Sequence, residues 1–217
     1  MIKINYRNFK SKSDELDISS QSKFIERIFQ DEDYDSYIQN DDAQSYCEEH
    51  EDEYAETDIT NSDIFTQNKG DIFDLANAFL CIDSMTHKKL QKLCYYAKAW
   101  YLALYDENII EESFEAWIHG AVQPELYQKY KSYGFGYISK IFNTKNIPEE
   151  FLSFTREVYQ SYGHLDGDEL ERLNHSEAPW INARGNLKPW QSCEEIINEE
   201  DMKLYYRKIK SNENFND

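Results

Sequence analysis

The chain has 217 residues with 40% hydrophobic and 15% aromatic content, enough to bury one principal core, so disorder throughout is excluded. Its formal charge of −19 is concentrated: residues 28–68 hold 14 Asp/Glu and no Lys/Arg, which disfavours ordinary binding to a phosphate backbone. The opening MIKINYRNF is not a signal peptide, no apolar run is long enough to span a membrane, and Cys47, Cys81, Cys94 and Cys193 include no C-x-x-C pair, so a cytoplasmic chain with reduced thiols is expected.

Residues 1–70 are read as an acidic N-terminal extension. Ile2, Ile4 and Tyr6 alternate with polar residues as in a short strand, and Phe24, Ile25, Ile28 and Phe29 fall at helical spacing. Tyr46, His50 and Tyr54 recur every four residues, which fits either a helix with a docked tyrosine stripe or a segment that orders on a partner.

After Gly70 the pattern becomes helical. Asp71 stands before Ile72, Leu75, Ala76, Phe79 and Leu80, which share one face. Thr86 is placed to cap the next helix, whose stripe is Leu90, Leu93, Cys94, Ala97, Tyr101 and Leu104. Its other side carries Lys88, Lys92, Tyr95, Ala99 and Leu102, so its C-terminal half is apolar nearly all round, as in a central helix. The lysines of its N-terminal half are expected to reach water along their stems.

Phe114 to Ile118 suits a short extended segment, with Gly120 allowing a turn. Pro124 opens a helix that ends before Gly134, and Pro148 opens another that ends at Gly163. A short helix through Leu170 and Leu173 should break near His175, ahead of a turn with Pro179 and Trp180. Ser192 and Glu195 form a capping box for the last helix, through Ile196, Met202, Leu204, Tyr205 and Ile209. The sum is a mainly α, compact helical domain over residues 71–210 with at most a short β element, followed by a frayed tail at 211–217.

Catalytic chemistry has no anchor in this pattern. Cys81 and Cys94 lie on apolar helix faces, where a thiol stays protonated, and Cys47 with His50 lacks a second metal-ligating pair. His119 and His175 suit turn-fixing hydrogen bonds as well as base chemistry. Glu115 and Glu125 are two acids among many, and the glycines form no phosphate loop. A non-enzyme without metal or cofactor is expected.

Three stretches read together resemble a known family. THKKLQKLCYYAKAW from Thr86, FEAWIHGAVQPELYQKY from Phe114 and LERLNHSEAPW from Leu170 are similar to the three signatures of the Panacea domain, the SocA-like or phage GepA-like antitoxin domain. The likeness covers roughly residues 72–205. His87 and Ala121 stand where the family has Pro, and Asn174 stands where it has Thr, a replacement that keeps capping ability.

The resemblance implies an antitoxin that neutralises a cognate toxin by direct protein contact, or in one branch delivers the toxin to a protease. The acidic block adds a physical expectation, a basic toxin that it would steer, with inhibition by nucleic-acid mimicry as another option. A partner surface is expected near the Gly120 loop and the turn from His175 to Trp180. Its candidate residues are Trp117, His119, Gln123, Glu125, His175, Glu177 and Trp180, with no direct nucleic-acid contact and no membrane.

Overall fold

The computed structural model describes residues 70–213. The expected strand at Ile2 to Tyr6, the helix near Phe24, the tyrosine-spaced segment and the Cys47–His50 pair lie outside the described residues. The described part is mainly α, with seven helices and two small two-stranded sheets.

Helix α1 (Ile72–Ile82) begins where Asp71 accepts hydrogen bonds from Phe73 N and Asp74 N, and the Asp74 carboxylate accepts from Asp71 N in return. This reciprocal cap satisfies N–H groups that a helix start leaves without partners. A two-residue strand, β1 (Met85–Thr86), precedes α2 (His87–Tyr105), and Thr86 Oγ1 accepts from Lys89 N as its cap.

Helix α2 is the axis of the molecule, packed by α1, α4 (Glu149–Tyr162), α5 (Gly167–Ser176) and α7 (Glu199–Glu213). Every residue from Leu90 to Ala103 is buried, including Tyr95, Tyr96 and Trp100. Tyr96 stacks on Tyr162 with centroids 4.3 Å apart, and Trp100 Nε1 donates to Tyr162 Oη at 2.8 Å. Trp100 and Tyr96 also meet Tyr206 of α7 edge to face. Aromatic burial thus ties α2, α4 and α7 together while giving the polar tips of Trp100 and Tyr206 a partner.

The C-terminal end of α2 is met by basic groups, as its exposed carbonyls and dipole favour. Arg207 Nε donates to Ala103 O, and Lys203 and Arg207 both pair with Asp106, which closes the helix at φ +64°.

Between α2 and α3 (Pro124–Tyr130) lies the hairpin of β2 (Glu115–Trp117) and β3 (Gly120–Val122), with Trp117 opposite Gly120. After a single 3₁₀ turn, β4 (Tyr137–Ile138) pairs antiparallel with β1. Helix α6 (Ala178–Arg184) follows α5 after one residue, Glu177.

Three local expectations are corrected. Lys92 does not reach water, nor does Lys98 of the same helix; both are buried. The last helix does not start at Ser192: Asn198 Oδ1 accepts from Glu200 N and Asp201 N, so α7 opens at Glu199. The residues expected to form its first turn pair with the hairpin instead, Ala116 N donating to Glu195 O and Ile197 N to Phe114 O. Strand-like pairing to the fold overrides the local capping signal. Helix α7 also continues through Glu213, past the expected end at 210.

Replacing Tyr162 by Phe keeps the stack on Tyr96 and removes the acceptor used by Trp100, so urea denaturation should show a loss of about 1–3 kcal/mol. Tyr162→Ala removes the ring as well and should cost about 3–5 kcal/mol.

Candidate functional site

The hairpin is held almost wholly through its backbone by side chains from three helices. From α2, Lys92 Nζ donates to Ala121 O at 2.7 Å. One turn position earlier, Gln91 both donates to Gln123 O at 3.0 Å and accepts from Gln123 N at 2.8 Å, so its amide imitates a neighbouring strand. From α5, Asn174 Oδ1 accepts from Ala121 N at 2.6 Å. From α6, Trp180 Nε1 donates to Trp117 O and Arg184 Nη1 to Ala116 O.

The supporting groups are themselves satisfied. Asn174 Nδ2 donates to Glu177 Oε2, which also accepts from Tyr206 Oη of α7. Gln123 Oε1 accepts from Leu126 N and so caps α3, where Pro124 needs no N–H partner. Arg184 spends its second terminal nitrogen on Lys188 O and Gln191 O and lies over the Trp180 ring. A buried polar cluster is stabilising only when its members are paired, and here the pairing runs continuously from α2 to α7.

Gly120 is the point of closest approach. Its φ of +87° disfavours any side chain, and a Cβ would lie 2.7 Å from Lys92 Cε and 2.8 Å from Asn174 Oδ1. Burial pushes the Lys92 ammonium down to about 7, a fall that the Glu171 carboxylate opposes and Lys88 reinforces. His175 stacks on Trp180 with centroids 4.1 Å apart, and burial first of all lowers its pKa to about 4, so its ring is neutral near pH 7.

Outside this clamp lies an exposed rim. His119 is at the hairpin tip, its side chain 72% exposed, with Nδ1 3.1 Å from Glu171 Oε1. Glu171 also pairs with Lys88 at 2.7 Å, and Lys88 with Asp168 at 2.8 Å. Burial works against the Glu171 carboxylate, yet Lys88 and His119 outweigh it and hold its pKa below the usual range. Beside the rim, Thr86, His87, Lys88, Tyr127, Phe135 and Asp168 help to line a half-open groove.

The seven expected contact residues therefore divide by depth. His119 and Glu125 are exposed, and Trp117 and His175 are half-buried. Gln123, Glu177 and Trp180 are buried, and they shape the surface rather than offer their own side chains to a partner. Glu115 accepts from Trp117 Nε1 at 2.6 Å and fixes that indole.

Residues 90–181 match the family model described as Antitoxin SocA-like, Panacea domain. This segment is similar to the SocA-like Panacea domain. The match opens at Leu90 beside Gln91 and Lys92 and closes one residue after Trp180, so it encloses the three helices' grip on the hairpin except for Arg184. No curated protein and no solved structure matches the chain.

Within the matched segment the signature residues are thereby given physical work: Gln91 and Lys92 of the first, Gly120 and Gln123 of the second, and Asn174, Glu177 and Trp180 of the third meet at one place. The Asn174 side chain uses its oxygen to hold Ala121 N. Cys94 is buried and burial raises its thiol pKa, while Cys81 is half-buried and raised for the same first reason. Among the described residues no helix is long and apolar enough to cross a membrane.

Gly120→Ala should destabilise the domain by at least about 2 kcal/mol in chemical denaturation, since strain and a backbone-adjacent clash act together. Because the pKa of Lys92 is lower in the folded chain than in the unfolded one, the unfolded chain binds more protons between pH 7 and about 10, and this group's contribution rises with pH there. Lys88, whose two carboxylate partners outweigh its burial and raise its pKa, acts oppositely, so the readout is a difference. The stability of the wild type minus that of Lys92→Met, measured by urea denaturation, should increase from pH 7 to pH 10.

Proposed function

We propose that this protein is an antitoxin that neutralises a cognate, basic toxin by direct and stoichiometric contact, without catalysis. The observation that carries this reading is the match of residues 90–181 to the SocA-like antitoxin domain. The clamp makes physical sense of it as a binding module: a rigid hairpin presents backbone and side chains at a fixed angle, so little ordering entropy is lost when a partner docks.

The rim of exposed His119, Glu125 and Asp168, with the half-buried Glu171 and the edge of Trp117, is the contact surface in this proposal. It is acidic in balance apart from Lys88 and Arg172, and the 14 carboxylates of residues 28–68 add a long-range field that accelerates encounter with a cationic partner. Buried groups of the clamp contribute by holding that rim.

The test is co-expression with the protein encoded by the adjacent reading frame. Growth should be restored by this chain, the two should co-purify, and inhibition of the purified toxin should saturate at a fixed molar ratio with the toxin unmodified. Inhibition that persists at a small fraction of that ratio would mean turnover and overturn the non-catalytic reading. His119→Lys with Glu125→Lys, which keeps a cation beside Glu171, should weaken toxin binding at least about tenfold at an unchanged melting temperature, as loss of a contact hot spot would. Unchanged affinity would place the interface elsewhere.

A further inference from the structure

From Leu126 to Pro148 the chain carries four lysines, Lys129, Lys131, Lys140 and Lys145, and no Asp or Glu, in a protein of charge −19. The same stretch leaves large rings in water. Phe135 is 98% exposed, Phe142 88% and Tyr137 68%. Tyr137 belongs to β4, an edge strand of a two-stranded sheet. An apolar and basic strip of this kind is unusual on a single chain without a partner for it.

The strip lies beside the point at which residues 1–69 join the fold. Ile141 N donates to Leu80 O near the end of α1, and the chain then runs back to Pro148, which sits against Gly70 before the start of α1. Helix α1 has 11 residues, about 16 Å, so both ends of this return path are close to the junction. Lys129 Nζ lies 4.3 Å above the Phe73 ring in the first turn of α1.

Residues 51–68, EDEYAETDITNSDIFTQN, have the complementary chemistry: six carboxylates, no base, and Tyr54, Ile59, Ile64 and Phe65 among them. From Gly70 to Asp63 is seven residues, an extended reach of about 23 Å, longer than α1 and so enough to pass Ile141 beside Leu80. We propose that in the free protein residues 51–68 dock in cis across the strip from Lys129 to Lys145, their carboxylates on its lysines and their apolar side chains on Phe135, Tyr137 and Phe142. Salt weakens such a contact, since its charges sit at the surface. The cis contact stands whether or not the partner proposed above is a toxin.

Zero-length carbodiimide cross-linking of the dilute full-length chain, mapped by mass spectrometry in the monomer fraction, tests this. Carboxylates of residues 51–68 should join Lys131, Lys140 and Lys145 at least about fivefold more than the exposed Lys188 and Lys208, and the preference should vanish in high salt, where surface charges are screened. The exposed double variant Lys131→Glu, Lys145→Glu should show an enlarged hydrodynamic radius with an unchanged melting temperature; Lys140 is kept because its Nζ donates to Ile82 O at the end of α1. Even cross-linking across all lysines, or cross-links found only between two copies, would overturn the proposal. So would an unchanged radius in the variant, or tight binding of a fluorescent single-stranded oligonucleotide through these lysines in the wild type.

Discussion

The three hydrogen bonds by which Gln91 and Lys92 of a buried α2 grip the peptide backbone at Ala121 and Gln123 are the constraint on which the rest of the structure depends. Lys92 and Gln91 project from a helix that is buried on all sides, and there they meet the carbonyls of Ala121 and Gln123 and the Gln123 amide. An unmet donor at that depth would cost more than a typical hydrogen bond returns, so hairpin and helix are obliged to meet. Gly120 allows the approach, and Asn174 closes it from the opposite side.

Everything that presents the rim follows from this grip. The hairpin tip carries His119, the following Gln123 caps α3, and Glu177 links Asn174 to Tyr206 so that α5 and α7 share one polar chain. Arg184 extends it to the loop before α7, whose residues pair with β2. Such a network tolerates exchange of rim residues more readily than exchange of its buried members, because only the latter leave partners unsatisfied.

Much of the fold was legible in sequence because it is written in short-range signals. Asp71, Thr86 and Pro124 mark real helix starts, Gly163 marks a real end, and the extended segment with a turn at Gly120 is the hairpin. The start of α7 was misread because Ser192 and Glu195 spell a local cap, while pairing of Glu195 and Ile197 with Phe114 and Ala116 is a contact between residues about 80 apart that no window can contain. The clamp was missed for a related reason. Helical periodicity places Lys92 on a face, but it does not reveal that a distant carbonyl waits there, and the default for lysine is water. Arg184 had a faint signal: it follows Trp180 by four residues on the same helix face, just before Gly185.

Native-state hydrogen exchange at two backbone amides is the most direct test of the account. If the clamp governs the fold, Ala121 N–H and Gln123 N–H, which donate to Asn174 and Gln91, will exchange only through global unfolding, with the same free energy as the centre of α2. Exchange of these two amides at rates close to those of an open loop, while α2 stays protected, would contradict it.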